Sequence, residues 1–174
     1  MTAVSLGARA ARLCALERRL FETVGTWVPE TADPGLKVLL RRQSLAHAER
    51  SVLWEGLLAV SAPVPDPPAG GSEEDERLLA PLAGAAGAAD RARALYGGVL
   101  PTMLAALRAA RERLAAGSGG PADGPERRVL ALAARAIGDD LAAARRPGVE
   151  QGGPGSDPGW DPWRYQERPL ASTS

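Results

Sequence analysis

The side chains that join reactive chemistry to an inward helical position are Glu17, Ser44, His47, Ser51, Arg93, Tyr96 and Asp140. They mix charge sign. Two carboxylates and a guanidinium around one cavity suit a zwitterionic ligand, with Arg93 on its anionic group and the acids on its ammonium. His47 is the one histidine of the chain; its ordinary pKa lies near neutrality, so beside Glu17 or Asp140 it can move a proton. Tyr96, Ser44, Ser51 and Trp54 would line the cavity as binding residues. A structural role for the same set stays open, with Arg93 paired to Glu17 or Asp140 to fix helix register and His47 a hydrogen-bonded core residue.

These positions need helices to hold them, and the spacing supplies four. Over residues 36–58, Leu36, Leu40, Ser44, His47, Ser51, Trp54 and Leu58 fall within roughly 60° of His47 at 100° per residue. Val38, Leu45 and Val52 lie opposite, which predicts a helix apolar on two faces and enclosed in a bundle. Before it, residues 5–24 read as a helix whose stripe is Leu6, Leu13, Glu17, Leu20 and Val24, ended by Gly25. Asp33 and Pro34 read as an N-cap followed by a first-turn proline, and the short connection predicts a hairpin of the first two helices.

A Pro/Gly-rich run after Leu58 reads as a loop. Ser72 then caps a third helix whose first turn, Glu73 to Glu76, suits the positive end of the helix dipole. Its stripe is Leu78, Leu82, Ala89, Arg93 and Tyr96, continuing through Leu100 and Leu107, with a kink near Gly97, Gly98 and Pro101. After GSGGPADGP, residues 125–146 form the fourth helix, with Val129, Leu132, Ala133, Ala136 and Asp140 inward. The expected architecture is therefore all-α, an antiparallel up-down four-helix bundle over residues 1–146. Residues 147–174 read as an irregular tail whose Trp160, Trp163 and Tyr165 either close over the bundle mouth or stay unfolded.

Charge narrows the partners. Lys and Arg together number 21, as do Asp and Glu, so the chain carries no electrostatic footprint for nucleic acid and no basic membrane face. Cys14 is alone and reads as a small buried residue. No run approaches the roughly 20 apolar residues of a membrane span and the N-terminus has no signal-type core, so the expected location is cytoplasmic. Nucleophilic triads, phosphate-binding glycine loops, dinucleotide fingerprints and metalloprotease motifs are missing from the sequence.

With a carboxylate inward on the first helix, a histidine mid-second and a carboxylate late in the fourth, residues 5–146 resemble the ferritin-like superfamily. The blocks FETVGTWVPETADP, SLAHAERSVLW, DRARALYGGVLP and residues 125–140 are similar to an actinobacterial ferritin-like family often encoded beside natural-product genes. A ferritin-like di-iron site takes one Glu from each of two helices and a Glu-x-x-His pair from each of the others. Here Ser44 stands three before His47, a second histidine is missing, and Arg93 and Tyr96 replace a carboxylate. The di-iron ligands are not retained, so the expectation is no metal and no cofactor.

The resemblance implies a metal-independent enzyme of bacterial secondary metabolism. It would bind a charged, amino-acid-like intermediate and promote intramolecular ring-forming substitution or elimination, for example aziridine closure with loss of sulfate. Arg93 would hold the departing anion while Glu17, His47 or Asp140 deprotonates the amine. Against this stand a non-catalytic ligand-binding or scaffold bundle, and last a di-iron oxidase. Macromolecular partners would be a second copy of the chain or a pathway protein.

Overall fold

The computed structural model describes residues 3–58, 72–116, 124–145 and 160–162. Among these the chain is all-helical: α1 (Ala3–Glu30), α2 (Pro34–Leu58), α3 (Glu73–Ala83), α4 (Ala88–Ala94), a π-helical turn (Leu95–Val99), α5 (Leu100–Ala116) and α6 (Gly124–Ala143). The two loops read at the Pro/Gly-rich runs lie outside the described residues, apart from Ser72 at the end of the first and Gly124 and Pro125, which open α6, at the end of the second. No helix among the described residues is long and apolar enough to cross a membrane.

Gly25 does not end α1, which continues to Glu30 through both Gly25 and Pro29. A helix-interior glycine costs only about 1 kcal/mol, and burial of Val24 and Trp27 in the core outweighs that. A Cβ on Gly25 would sit 3.4 Å from Ser44 Oγ, so the glycine also lets α2 come close. Asp33 caps α2 as its spacing implies, its carboxylate accepting from Leu36 N, and Pro34 opens the helix. Ser72 and Asp75 form a reciprocal capping box at the start of α3.

The third element is not one continuous helix. α3 ends at Gly84, and α4 starts after Gly87 with a new phase. Side-chain partners then give each helix its direction. Glu17 meets His47 and Arg50 while Phe21, one turn later in α1, meets Ser44, earlier in α2, so α1 and α2 run oppositely. The start of α3 is held by Arg12 and Arg19, well before the end of α1. Arg91 of α4 lies at the other end, its guanidinium 5.5 Å from the Trp27 ring centroid and paired to Glu30. α5 comes back, and Leu114 near its end accepts from Arg127 at the start of α6. Glu126 pairs with Arg9 and Asp140 with Arg50, so α6 runs in the same direction as α1. α3 thus belongs to the connection that carries the chain back along α1.

Between α4 and α5 the helix widens for one turn. Pro101 has no N–H for the Gly97 carbonyl, and the flexible pair Gly97 and Gly98 lets the ladder change step. Leu100 N donates to Leu95 O across five residues. The Thr102 hydroxyl takes the Gly98 carbonyl at 2.9 Å. Leu95, Tyr96, Val99 and Leu100 are all buried by this turn. Around it lies one apolar core from every helix, including Leu13, Leu20, Leu40, Trp54, Leu107, Leu130 and Ile137.

Candidate functional site

At the centre of that core sits a charged cluster built on α1, α2 and α6. His47 Nδ1 lies 2.6 Å from Glu17 Oε2. Arg50 Nε donates to Glu17 Oε1 at 2.9 Å, and its Nη1 to Asp140 Oδ2 at 2.8 Å. Gln43 Nε2 donates to the same Oδ2 at 3.2 Å and lies 3.2 Å from His47 Nε2. The acceptor-only carboxylate fixes the Gln43 amide with its NH2 toward the ring. His47 Nε2 is therefore the acceptor, and Nδ1 carries the hydrogen given to Glu17. Arg50 Nη2 is also 2.9 Å from Nδ1 and opposes a second ring proton.

Electrostatics agree with this assignment. Burial pushes the His47 pKa below its ordinary value, against the pull of Glu17, with Arg50 adding to the depression. Burial alone would raise Glu17, but Arg50 and His47 hold it below the usual carboxylate range. Arg50 loses hydration on burial, yet Glu17 and Asp140 keep it firmly protonated. With His47 neutral, two carboxylates face one guanidinium, an excess of one negative charge.

Tyr96 and Trp54 complete the surroundings. Both are buried, and neither the Tyr96 hydroxyl nor Trp54 Nε1 has a hydrogen-bond partner among the described residues. Burial, then the Asp140 charge, raises the Tyr96 pKa. The π turn carries this hydroxyl into the field of the cluster. One side of the cluster opens to a groove of about 660 Å³ between α2 and α6, with Arg50 and Asp140 on its floor. Arg41, Arg42, Glu49 and Asp139 give its walls both signs of charge. The hydrogen bonds from Gln43 and Arg50 to Asp140 both end on Oδ2, which leaves Oδ1 for a ligand.

The structure brings together Glu17, His47 and Asp140, and places Tyr96 near them. Arg93 is a correction: its side chain is 53 % exposed and pairs with Asp90. The stripe that placed it inward assumed one helical phase from Leu78 to Tyr96, and the break at 84–87 resets that phase. Ala89, from the same stripe, is exposed for the same reason. Arg50 supplies the central guanidinium instead. Ser44 and Ser51 are buried but serve the backbone, donating to Phe21 O and Ala48 O. Trp160 is buried against Asp75 rather than lining the groove. The lid residues Trp163 and Tyr165 lie outside the described residues.

A di-iron pair does not fit this donor set. Arg50 bridges Glu17 and Asp140 at hydrogen-bond distance, where a cation would have to sit, and repels one. Among the described residues no group of three or more His, Cys, Asp or Glu is placed to hold a metal ion. Cys14 is buried and free, with its thiol pKa raised by burial.

The cluster has a pH signature. The unfolded chain takes up protons on histidine near 6.5 and on glutamate near 4.5, while native His47 and Glu17 bind them only at lower pH. The unfolded state therefore holds more protons in acid, and stability is lost as pH falls, first below 6.5 through His47 and then below 4.5 through Glu17. Thermal melts by circular dichroism should show Tm declining between about pH 7.5 and about pH 5. A His47→Gln variant should flatten that decline, and a parent Tm constant over the interval would contradict the neutral, buried imidazole.

Comparison with protein-family models, with curated proteins and with solved structures finds no match for this chain.

Proposed function

We propose that the chain is a ferritin-like, antiparallel four-helix bundle, bent in its third helix at the π turn, whose central cluster works without a metal on a charged, amino-acid-derived small molecule. The reaction we infer is an intramolecular ring-forming substitution of bacterial secondary metabolism. The supporting topology is the shared direction of α1 and α6, with α2 and the α4–α5 pair opposed, which needs a long connection between two hairpins. The carrying observation is the groove floored by Arg50 and Asp140, of a size suited to a small molecule.

The chemistry divides among the residues by access. Asp140 lines the groove and would receive a substrate ammonium on its Oδ1, then its proton. The deprotonated nitrogen attacks the neighbouring carbon; the C–N bond forms as the C–O bond to sulfate breaks, and sulfate leaves with the electron pair. Arg42 on the wall holds the departing anion. His47 and Glu17 do not line the groove, so they are positioning residues that hold Arg50 and Asp140 in place. Fixing nucleophile and leaving group in line supplies much of the rate.

The test is calorimetry and sulfate release with a simple vicinal amino sulfate ester. The parent should bind it and release sulfate faster than buffer. Asp140→Asn should abolish release, and Arg42→Ala should weaken binding by about tenfold, the loss of one charge-assisted contact. One observation favours a second reading, a non-catalytic scaffold: Arg50, Glu17 and Asp140 already satisfy one another. A parent that neither binds nor turns over such esters would leave that reading in place.

A further inference from the structure

The outer face of α2 carries the opposite of what an enclosed helix needs. Val38, Leu45 and Val52 are 68 %, 50 % and 63 % exposed. Single exposed aliphatics are ordinary, but these three stand seven residues apart and form one line about 21 Å long at 1.5 Å per residue. Seven-residue spacing is the repeat with which one helix packs along another. Nothing in the described chain covers them.

The charges beside this line have a symmetry of their own. Arg41 stands four residues before Leu45 and Glu49 four after it; Val38 and Val52 stand seven before and seven after. Rotation by 180° about an axis through Leu45 therefore exchanges Val38 with Val52 and Arg41 with Glu49. Arg41, Arg42 and Glu49 make no ion pair with any described residue, although all three flank the exposed line. A face that is self-complementary under a two-fold operation is what an isologous homodimer requires.

We propose that α2 pairs antiparallel with α2 of a second copy, with Leu45 on Leu45 at the two-fold axis, Val38 against the partner's Val52, and Arg41 facing the partner's Glu49. The apolar line supplies the buried core of the interface, and the two acid–base ends fix its register and direction. Val38, Arg41, Leu45 and Glu49, though not Val52, also line one wall of the α2–α6 groove, so pairing narrows the mouth of that groove in both copies. The proposal stands whether or not the groove binds a ligand.

Analytical ultracentrifugation of the full chain, from low to high micromolar concentration, reads the result. The parent should be dimeric, and Leu45→Lys should be monomeric with an unchanged circular dichroism melt, since the side chain is exposed in one copy. Glu49→Arg should weaken dimerisation by tenfold or more, and adding Arg41→Glu to it should restore the dimer. Under mild oxidation Leu45→Cys should cross-link to itself. Val38→Cys should not, but should cross-link when mixed with Val52→Cys. A monomeric parent overturns the proposal, as does a dimer indifferent to Leu45→Lys or a Val38→Cys that cross-links to itself.

Discussion

Arg50→Ala is expected to lower Tm by about 6–20 °C. Removing one partner from a buried ion cluster typically costs about 3–5 kcal/mol, because the remaining charge has neither water nor counter-ion. For a chain of this size each kcal/mol moves Tm by about 2–4 °C. Here Glu17 is 1 % exposed and would keep only His47, while Asp140 would keep only Gln43. The variant has a distinctive pH response. The parent loses stability in acid, but without Arg50 the burial of Glu17 is unopposed by its main cation, its pKa rises, and protonation relieves the strain. The gap between parent and variant should therefore shrink as pH falls. Arg93→Ala is the control: its pair with Asp90 is exposed and the change should stay within about 0.5 kcal/mol. An Arg50→Ala melt that overlays Arg93→Ala would refute the description of the core cluster.

Asp75→Ala should rank second. Its carboxylate accepts Arg12 Nε and Nη2, the indole N–H of Trp160 at 3.0 Å, and the backbone N–H of Ser72 in the capping box. The Arg12 bonds and the Trp160 bond hold its pKa below the usual range against burial. Truncation leaves Arg12 buried beside only Glu74, frays the start of α3 and frees Trp160. The combined loss should be about 3–5 kcal/mol. Trp160→Phe, which removes one hydrogen bond and keeps an aromatic ring, should cost about 1 kcal/mol. The double variant should cost less than the sum of the two, because the indole bond can be lost only once. Full additivity in chemical denaturation would mean that Asp75 and Trp160 are not coupled.

Much of this was legible before any coordinates. Helical periodicity put Glu17, His47 and Asp140 inward, and Asp33–Pro34 and Ser72 marked true helix starts, because caps act through nearest neighbours. Arg50 and Gln43 carried the same signal, standing about 60° and 40° from His47 at 100° per residue. They lie on the flank of the stripe away from Ser44, and a stripe drawn through the serines passes them by. Arg93 failed for a non-local reason. Whether a helix keeps its phase across Ala83 to Ala88 depends on which neighbour it packs against, and no local pattern records that. Gly25 failed likewise, since its termination signal is weaker than the packing of α1 on α2. The exposed line on α2 carries the pattern of a core face, because an apolar face looks the same in sequence whether its cover is the same chain or another copy.

The two hairpin-forming helices bring Glu17 to His47 and Arg50 across separations of 30 and 33 residues, whereas Asp140 reaches Arg50 across 90. Contacts that close longer loops come later on average, because the chain must give up more freedom before they form. The α1–α2 pair should therefore assemble first, with its carboxylate, imidazole and guanidinium still in water on the side that α6 will cover. Docking of α6 is then the step that strips this water and seals the charges. Refolding should be slowed by Asp140→Ala and little affected by substitutions confined to the exposed face of α2, which places the kinetic bottleneck of the molecule at the same atoms as its proposed chemistry.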